Sequence, residues 1–263
     1  ILVVVVSYVF YGWWNKTFLL LIAFTTFCSF LSGIAVERAR NRYEGKVLRG
    51  GIKWDWWISV ANVTINLLIL GIYKYFNFFA DSFVSVCETF GFRPDHVTLH
   101  LILPVGISFY TFQALSYTID VYKRKIEPTH DVVAFFAFIS FFPQLVAGPI
   151  ERATNLLPQF QQKRQFKYET AADGLKQILW GLFKKMIIAD NCALAVNPIW
   201  ENYGSQNGVD LLIGAFLFTF QIYCDFSGYS DIAIGSAKLF GIKLMRNFNV
   251  PYFSRDIAEF WRR

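Results

Sequence analysis

The sequence predicts an all-α fold, namely a polytopic bundle of transmembrane helices. Of the 263 residues, 55% are hydrophobic and 17% are charged, whereas a soluble domain carries about a quarter charged residues. The apolar residues fall into long blocks, which is typical of membrane-spanning helices. The net charge of +6 comes from basic residues that lie between these blocks. This arrangement is typical of cytoplasmic loops and argues against a nucleic-acid-binding surface.

The first half of the chain predicts one short apolar segment followed by three spans. Ile1–Trp14 is apolar but shorter than the ~20 residues that a span requires. The three spans are predicted at Phe18–Val36, Trp54–Phe79 and Leu99–Tyr122. Basic residues in 37–53 and 123–125 place both of those loops on the cytoplasmic side. The net acidic segment 81–96 is expected on the other side.

The segment Val132–Ile150 predicts a re-entrant hairpin. Its apolar run is of marginal length and contains two prolines and Gly148. Basic residues flank it on both sides, so a full crossing would place one basic cluster outside. A hairpin that dips in and turns back keeps both clusters inside, and it tolerates the prolines where protein surrounds them. Ala153 is then expected on the same face as Val132; the alternative is a helix that crosses from face to face.

The second half of the chain predicts two further helices joined by a short outer loop. Ala171–Trp200 is helical by pattern and contains Lys184 and Lys185. These lysines indicate that the first half of the helix lies at the cytoplasmic interface or faces a wet cavity. Val209–Phe226 then returns the chain inward.

A helix break is predicted directly after this returning span, at Ser227-Gly228. Ser230 or Asp231 is then expected to cap the next helix. A further amphipathic helix is predicted to begin at Asp256. Because the sequence shows no internal repeat and no soluble segment, the whole chain predicts a single membrane domain.

Carboxylates at membrane depth are the strongest functional candidates. Asp225 and Asp231 lie next to an apolar run, and charges in that setting are costly and functional by default. On one continuous helix they would point about 120° apart, so they need not share a site. A structural interpretation is equally good, in which Asp231 caps a helix and Asp225 pairs with a basic residue or with Tyr229. Gln113, in the middle of a span, allows the same two interpretations.

The other polar residues give weaker signals. Glu259 and Arg262 have the spacing of an ordinary helical ion pair. The four cysteines predict neither a disulfide framework nor a metal site, and the common hydrolase, zinc-protease and nucleotide-binding motifs are absent from the sequence. None of the three histidines is expected to act as a base; they are His96, His100 and His130. The residues alone therefore leave a transporter and an enzyme open.

Five stretches of the sequence, taken in order, carry a family resemblance. They are Tyr8–Leu21, Leu103–Tyr122, Phe141–Phe160, Gly181–Asp190 and Tyr223–Arg263. Together they resemble the membrane-bound O-acyltransferase family, in particular its bacterial branch of alginate O-acetyltransferases. The D-alanyl transferase of teichoic acid synthesis is a more distant relative.

The resemblance implies that the chain is the N-terminal part of a longer acyltransferase. In the family, the motif that ends here in EFWRR continues into a Trp-His pair, and a catalytic histidine lies further on. No residue of this chain is therefore expected to be the catalytic base, and the chain alone is expected to be inactive. The implied reaction transfers an acyl group, such as acetyl, to a hydroxyl of a cell-surface or exported polysaccharide, as in alginate biosynthesis.

The resemblance also implies where the substrates meet. The acyl donor, such as acetyl-CoA or an acyl carrier, is expected on the cytoplasmic side as a co-substrate, with no bound cofactor or metal. The acceptor is a polysaccharide or an exported acyl-accepting protein on the outer side, so the protein is expected in the bacterial cytoplasmic (inner) membrane, in contact with the lipid bilayer. The side chains expected to line or support the substrate tunnel are Gln113, Asp225, Ser227, Tyr229, Asp231, Glu259 and Arg262. The alternatives are a transporter, in which Asp225 or Asp231 binds a coupling ion, and a D-alanyl or other acyl transferase.

Overall fold

The computed structural model describes residues 1–42, 53–92, 103–145 and 148–263. Within these ranges the chain is helical and contains no strand, which confirms the predicted all-α class. The chain divides into two compact units. The first comprises Ile1–Phe142 with Arg152–Gln161, and the second comprises Pro143–Glu151 with Gln162–Arg263.

The helices of the described ranges follow one another closely along the chain. In order they are α1 (Leu2–Trp14), α2 (Lys16–Arg42), α3 (Trp54–Thr89), α4 (Ile107–Tyr122), α5 (Val132–Ser140), α6 (Phe142–Leu145), α7 (Ala153–Gln161), α8 (Tyr168–Leu182), α9 (Asp190–Glu201), α10 (Gly208–Leu239) and α11 (Ile257–Arg262). A π-helical segment, Phe183–Ala189, joins α8 to α9, and short 3₁₀ turns lie at Tyr203–Ser205 and Pro251–Phe253.

Three helices of the described ranges are long and apolar enough to cross a membrane, namely α2, α3 and α10. They confirm three of the predicted spans. Helix α3 extends further than predicted, so residues 81–89 are helical and do not form the start of an outer loop. The helix continues past Phe79 because no glycine or proline follows in the sequence before Gly91, which has a φ of 81°.

The remaining span of the first half is described only in part, because residues 99–102 lie outside the described ranges. The helix that follows, α4, begins at Ile107. Its late start has a local reason: Pro104 lacks a backbone N–H, and Gly106 takes a left-handed conformation with a φ of 74°.

The segment between α4 and α8 forms a broken hairpin. Helix α5 ends at Ser140, before Pro143, and α7 packs back against α5 within the first unit. At the end of α7, Gln161 Nε2 donates to Thr129 Oγ1 at 3.0 Å, so the segment begins and ends at one place. The break excludes one continuous crossing helix, and the chain turns back on itself between α5 and α7. The re-entrant position in the membrane, with Ala153 on the same face as Val132, stays a prediction.

Arg40 joins three helix ends in the first unit. Its guanidinium donates to the carbonyl oxygens of Val121 at 2.9 Å and Tyr122 at 2.5 Å, which caps α4. It also pairs with Asp55 at 3.2 Å, at the start of α3. The basic end of α2 and residues 123–125 therefore lie at the same end of this unit, as the charge pattern predicted. The rest of that first basic loop, residues 43–52, lies outside the described ranges.

In the second unit, α8, the π-helical segment and α9 form one uninterrupted rod that packs antiparallel to α10. The two helices approach most closely where glycines face each other. A Cβ built on Gly181 would lie 2.6 Å from the carbonyl oxygen of Gly228, and one built on Gly235 would lie 2.5 Å from that of Gly174. Contacts this short leave no room for any side chain, so backbone packs directly on backbone.

This contact explains why the predicted break at Ser227-Gly228 is wrong. Helix α10 runs through both residues without interruption. Gly228 serves the close approach to α8 and does not end the helix. Asp231, predicted as a possible cap, consequently lies inside α10, where both of its carboxylate oxygens accept hydrogen bonds from side chains.

Candidate functional site

A cavity of about 570 Å³ opens in the second unit, beside the contact between α8 and α10. One wall comes from the end of α8 and the π-helical segment, a second from α10, and a third from residues 246–253, which we call the strap. The lining residues are Trp180, Lys184, Ile188, Phe220, Tyr223, Cys224, Ser227, Ser230, Asp231, Ile234, Arg246, Asn247, Phe248, Val250, Tyr252 and Phe253.

The polar part of the cavity is built around a buried lysine–aspartate pair. Lys184, which is only 7% exposed, donates from Nζ to Asp231 Oδ2 at 2.5 Å and to Ser227 Oγ at 3.0 Å. Gln177 Nε2 donates to the other carboxylate oxygen of Asp231 at 2.8 Å. A buried charge is tolerated only when it is paired and hydrogen-bonded, and this pair meets both conditions.

Two consecutive lysines of the π-helical segment reach different places, since neighbouring residues of a helix point in different directions. In a π-helix the turn holds more residues than in an α-helix, and such segments are rare and frequent at functional sites. Lys184 points to the cavity, whereas Lys185 contacts Asp190 at 2.6 Å and Asp225 at 2.7 Å. The Lys185 ammonium also lies 5.5 Å from the centre of the Tyr229 ring.

The strap is held over α10 by polar and aromatic contacts. Asn247 Nδ2 donates to Ser230 Oγ at 2.9 Å, and the Tyr252 hydroxyl donates to the Thr219 carbonyl oxygen at 2.8 Å. The Phe248 ring packs edge-on against Tyr223, with 5.9 Å between ring centres. The strap therefore forms a fixed side of the cavity in this structure.

The structure brings together only two of the seven side chains predicted for a substrate tunnel. Ser227 and Asp231 both line the cavity and share Lys184. Asp225 and Tyr229 lie on another side of α10, next to Lys185, and do not line it. This separation follows from the continuous helix, on which the two aspartates point in different directions.

The other three predicted residues have local partners. Gln113 lies buried in the first unit, where its Nε2 donates to the Phe138 carbonyl oxygen at 2.7 Å. Glu259 pairs with Arg255 at 3.3 Å and with Arg263 at 2.8 Å. The predicted partner, Arg262, instead donates from Nε to the carbonyl oxygen of Ala258.

Sequence reasoning missed three polar residues of the site. Gln177 and Asn247 are single amides in otherwise ordinary segments, and no pattern distinguishes them. Arg246 is one of several basic residues that follow the last span, and no pattern distinguishes it from the others. Lys184, for which the sequence leaves a cytoplasmic interface and a wet cavity open, lines this cavity and is buried there.

The histidines and possible metal ligands add nothing to this site. His130 is largely exposed and lies 2.9 Å from Glu37 in the first unit, as expected of a surface residue. The predictions for His96 and His100 fall outside the described residues. Within the ranges that the structure describes, no group of three His, Cys, Asp or Glu side chains is placed to hold a metal ion.

The chain is similar over its whole length to curated membrane enzymes. It is 40% identical over 263 residues to a Pseudomonas aeruginosa protein named "Probable alginate O-acetylase AlgI", with 100% of this chain and 48% of that protein covered. It is 34% identical over 287 residues to the peptidoglycan O-acetyltransferase of Helicobacter pylori, covering 99% of this chain and 51% of that protein. A teichoic acid D-alanyltransferase of Streptococcus thermophilus is 30% identical over 172 residues, covering 63% of this chain and 41% of that protein.

No family model matches the chain. The chain spans about half the length of the curated O-acetylases that it matches. The alignment nevertheless extends from one end of the chain to the other. The chain is therefore similar, over all of its residues, to about half the length of proteins of the alginate O-acetylase-like branch, in agreement with the resemblance to the membrane-bound O-acyltransferase family.

Proposed function

We propose that the whole protein is a multi-pass membrane O-acyltransferase that transfers an acyl group, such as acetyl, to a hydroxyl of a cell-envelope polysaccharide. The observation that carries this proposal is the similarity over all 263 residues to proteins whose names describe acyl transfer to alginate and peptidoglycan. The bacterial cytoplasmic membrane is the proposed location. Acetyl-CoA or an acyl carrier on the cytoplasmic side is the proposed donor. The acceptor, or an exported protein that relays the acyl group, is proposed to act from the outer side.

Within this function, we propose that the Lys184–Asp231 pair forms part of the wall of the substrate path. The pair is buried, hydrogen-bonded by Gln177 and Ser227, and adjacent to a cavity of a size that holds small ligands. Its role is to keep this wall in shape and to orient a substrate group. The base that removes the acceptor proton belongs, by family resemblance, to a histidine of the whole protein that this chain does not contain.

The test is acyl transfer from a labelled donor to an isolated acceptor polymer by the purified whole protein. Asp231→Asn is expected to lower the rate, because it weakens the hold on Lys184 in the cavity wall. Asp225→Asn is the matched control: it is the same substitution in the same helix, next to the neighbouring lysine, but away from the cavity. From the sequence alone Asp225 was expected near the tunnel; from its position we now expect the smaller effect there.

Two outcomes would contradict this proposal. If the whole protein transfers no acyl group to any envelope polymer, the proposed activity is wrong. If Asp225→Asn lowers the rate of acyl transfer as much as Asp231→Asn does, the cavity next to Asp231 does not form the wall of the substrate path. The 263-residue chain alone is expected to be inactive, and activity in it would refute the inference that the base lies elsewhere.

A transporter is the competing proposal, and the structure weakens its main support. Ion-coupled transporters typically bind their ions where membrane helices are broken near the middle of the bilayer. The expected break beside Asp225 and Asp231 does not exist, since α10 is continuous through both residues. Ion-coupled uptake that is lost in Asp225→Asn, together with no acyl transfer by the whole protein, would favour the transporter.

A further inference from the structure

The charges that line the cavity do not cancel. Three charged side chains contribute to the lining, namely Lys184, Asp231 and Arg246. Lys184 and Asp231 neutralise each other at 2.5 Å, so one positive charge remains, on Arg246. Arg246 is exposed to solvent, and among the described residues its guanidinium has no ion-pair partner. The cavity therefore offers one unpaired cation to whatever enters it.

The other walls of the cavity are mainly aromatic and aliphatic. Trp180 and Phe220 contribute from the two helices, and Phe248 and Phe253 contribute from the strap. Phe253 is 78% exposed although it lines a cavity, so the described residues leave part of its apolar surface uncovered. Apolar surface of this kind gains free energy when a ligand removes it from water.

The backbone of the strap is strained at the point where it lines the cavity. Val250 has a φ of 50° and a ψ of 61°, which is the left-handed conformation. A β-branched residue there is a genuine outlier. The following residue, Pro251, does not favour such a conformation either. Strain of this type is typical of ligand sites, where the surrounding contacts hold it in place.

We propose that this cavity binds an amphipathic anion, with its carboxylate or phosphate head on Arg246 and its apolar chain between the aromatic walls. The planar guanidinium can bind either head group through two parallel hydrogen bonds. The Lys184–Asp231 pair carries no net charge, so the unpaired charge on Arg246 fixes the position of the head group. The cavity is the one whose wall is proposed above to border the substrate path, but this inference concerns binding alone and requires no reaction.

The test is equilibrium binding of radiolabelled dodecyl phosphate to the whole protein in nanodiscs of zwitterionic lipid. Laurate is expected to compete with the probe, whereas dodecanol, which lacks the charge, and inorganic phosphate, which lacks the chain, are expected not to. A stronger effect of laurate than of unlabelled dodecyl phosphate would identify a fatty acid as the natural head-group chemistry. The reverse order would identify a lipid phosphate.

Variants test which part of the cavity holds which part of the probe. Arg246→Gln is expected to weaken binding by about ten-fold or more, because it removes a charged hydrogen-bond donor pair. Arg246→Lys should retain part of the affinity. Phe253→Ser, at an exposed wall position that the fold does not require, should also weaken binding. Arg255→Gln is the matched control, since Arg255 is exposed, pairs with Glu259 and does not line the cavity.

Three results would overturn the proposal. They are unchanged binding in Arg246→Gln, equal loss in Arg255→Gln, and full competition by inorganic phosphate alone. Because the readout is binding, its failure is distinct from a failure of acyl transfer. A protein that binds the probe through Arg246 but transfers no acyl group would support this inference while refuting the proposed activity.

Discussion

At the scale of single residues, the chain holds its charges in two different ways. The Lys184–Asp231 pair is buried, with side-chain exposures of 9% and 22%, and it is surrounded by hydrogen-bond partners. Lys185 bridges Asp190 and Asp225, whose side chains are 51% and 44% exposed and can be hydrated. Removing one partner should therefore have very different consequences in the two places.

We predict that Lys184→Met lowers the free energy of unfolding by about 3 kcal/mol, since it leaves Asp231 as an uncompensated, largely buried charge. The double variant Lys184→Met/Asp231→Leu should recover most of this loss, because both charges are then gone. Lys185→Met is the matched control and should have a clearly smaller effect. Thermal unfolding of the three variants in the same detergent measures the order of their stabilities. Equal losses for the two single variants would show that burial does not distinguish the pairs.

Glu259 predicts a dependence of local stability on pH. The backbone N–H of Arg255 and the guanidinium of Arg263 hold the pKa of this carboxyl below its usual range. The stabilisation is therefore present above the ordinary pKa of a glutamate and is lost as the pH falls through the lowered value. The protection factors of the amides at the start of α11, which are exchange rates corrected for their intrinsic pH dependence, should fall on acidification, and Glu259→Gln should remove that dependence. An unchanged pH profile in the variant would contradict this assignment.

At the scale of elements, the sequence allowed the apolar helices to be predicted but not their ends. The spans α2 and α10 were predictable because a largely apolar block of nearly membrane-spanning length leaves few alternatives. The role of Gly228 was not predictable, since a glycine inside a helix can either end the helix or allow a neighbouring helix to approach closely. Only its distance from Gly181 on the other helix distinguishes these two roles, and the sequence does not contain that distance.

Gly228→Ala should destabilise the second unit, because its new Cβ would lie 2.9 Å from the carbonyl oxygen of Gly181, and backbone must move to make room. Gly71→Ala provides the control: it is the same change inside a predicted span, but no atom lies within 4 Å of the new Cβ. That variant should be neutral or more stable by up to about 1 kcal/mol, as expected from helix propensity. The melting temperatures of the two variants should differ accordingly, and equal values would refute the close contact.

At the scale of the whole molecule, the charge pattern predicted which ends of the helices lie together in the first unit. Arg40 confirmed that prediction by contacting the last turn of α4 and the first turn of α3. The candidate site could not be predicted in the same way. One side of the site comes from α8 and the π-helical segment and the other from α10 and the strap, and the sequence does not show that these two parts of the chain pack together.

Cysteine labelling tests the arrangement in the membrane. Single cysteines at the positions of Arg42 and Arg124, in a background without the four native cysteines, should react from the same compartment. The physical reason is that both positions belong to basic flanks, which stay on the cytoplasmic side. A cysteine at Asn207, at the N-terminal end of α10, provides the comparison, because the sequence predicts an outer loop directly before this helix. Labelling of positions 42 and 124 from opposite compartments would refute the predicted topology.

The paired glycines of α8 and α10 also limit how this protein can change over evolutionary time. They recur seven residues apart on each helix, at 174 and 181 and at 228 and 235, which corresponds to about 10 Å along the axis. A smaller slide of one helix would bring a side chain against a glycine backbone, so the two helices have one usable alignment. The single alignment of α8 and α10 thus fixes the depth of the cavity, whereas no glycine contact of this kind restricts substitutions in the strap. Proteins of this architecture that accept different ligands should therefore differ first in the strap, and α8 and α10 should tolerate few substitutions at their contact.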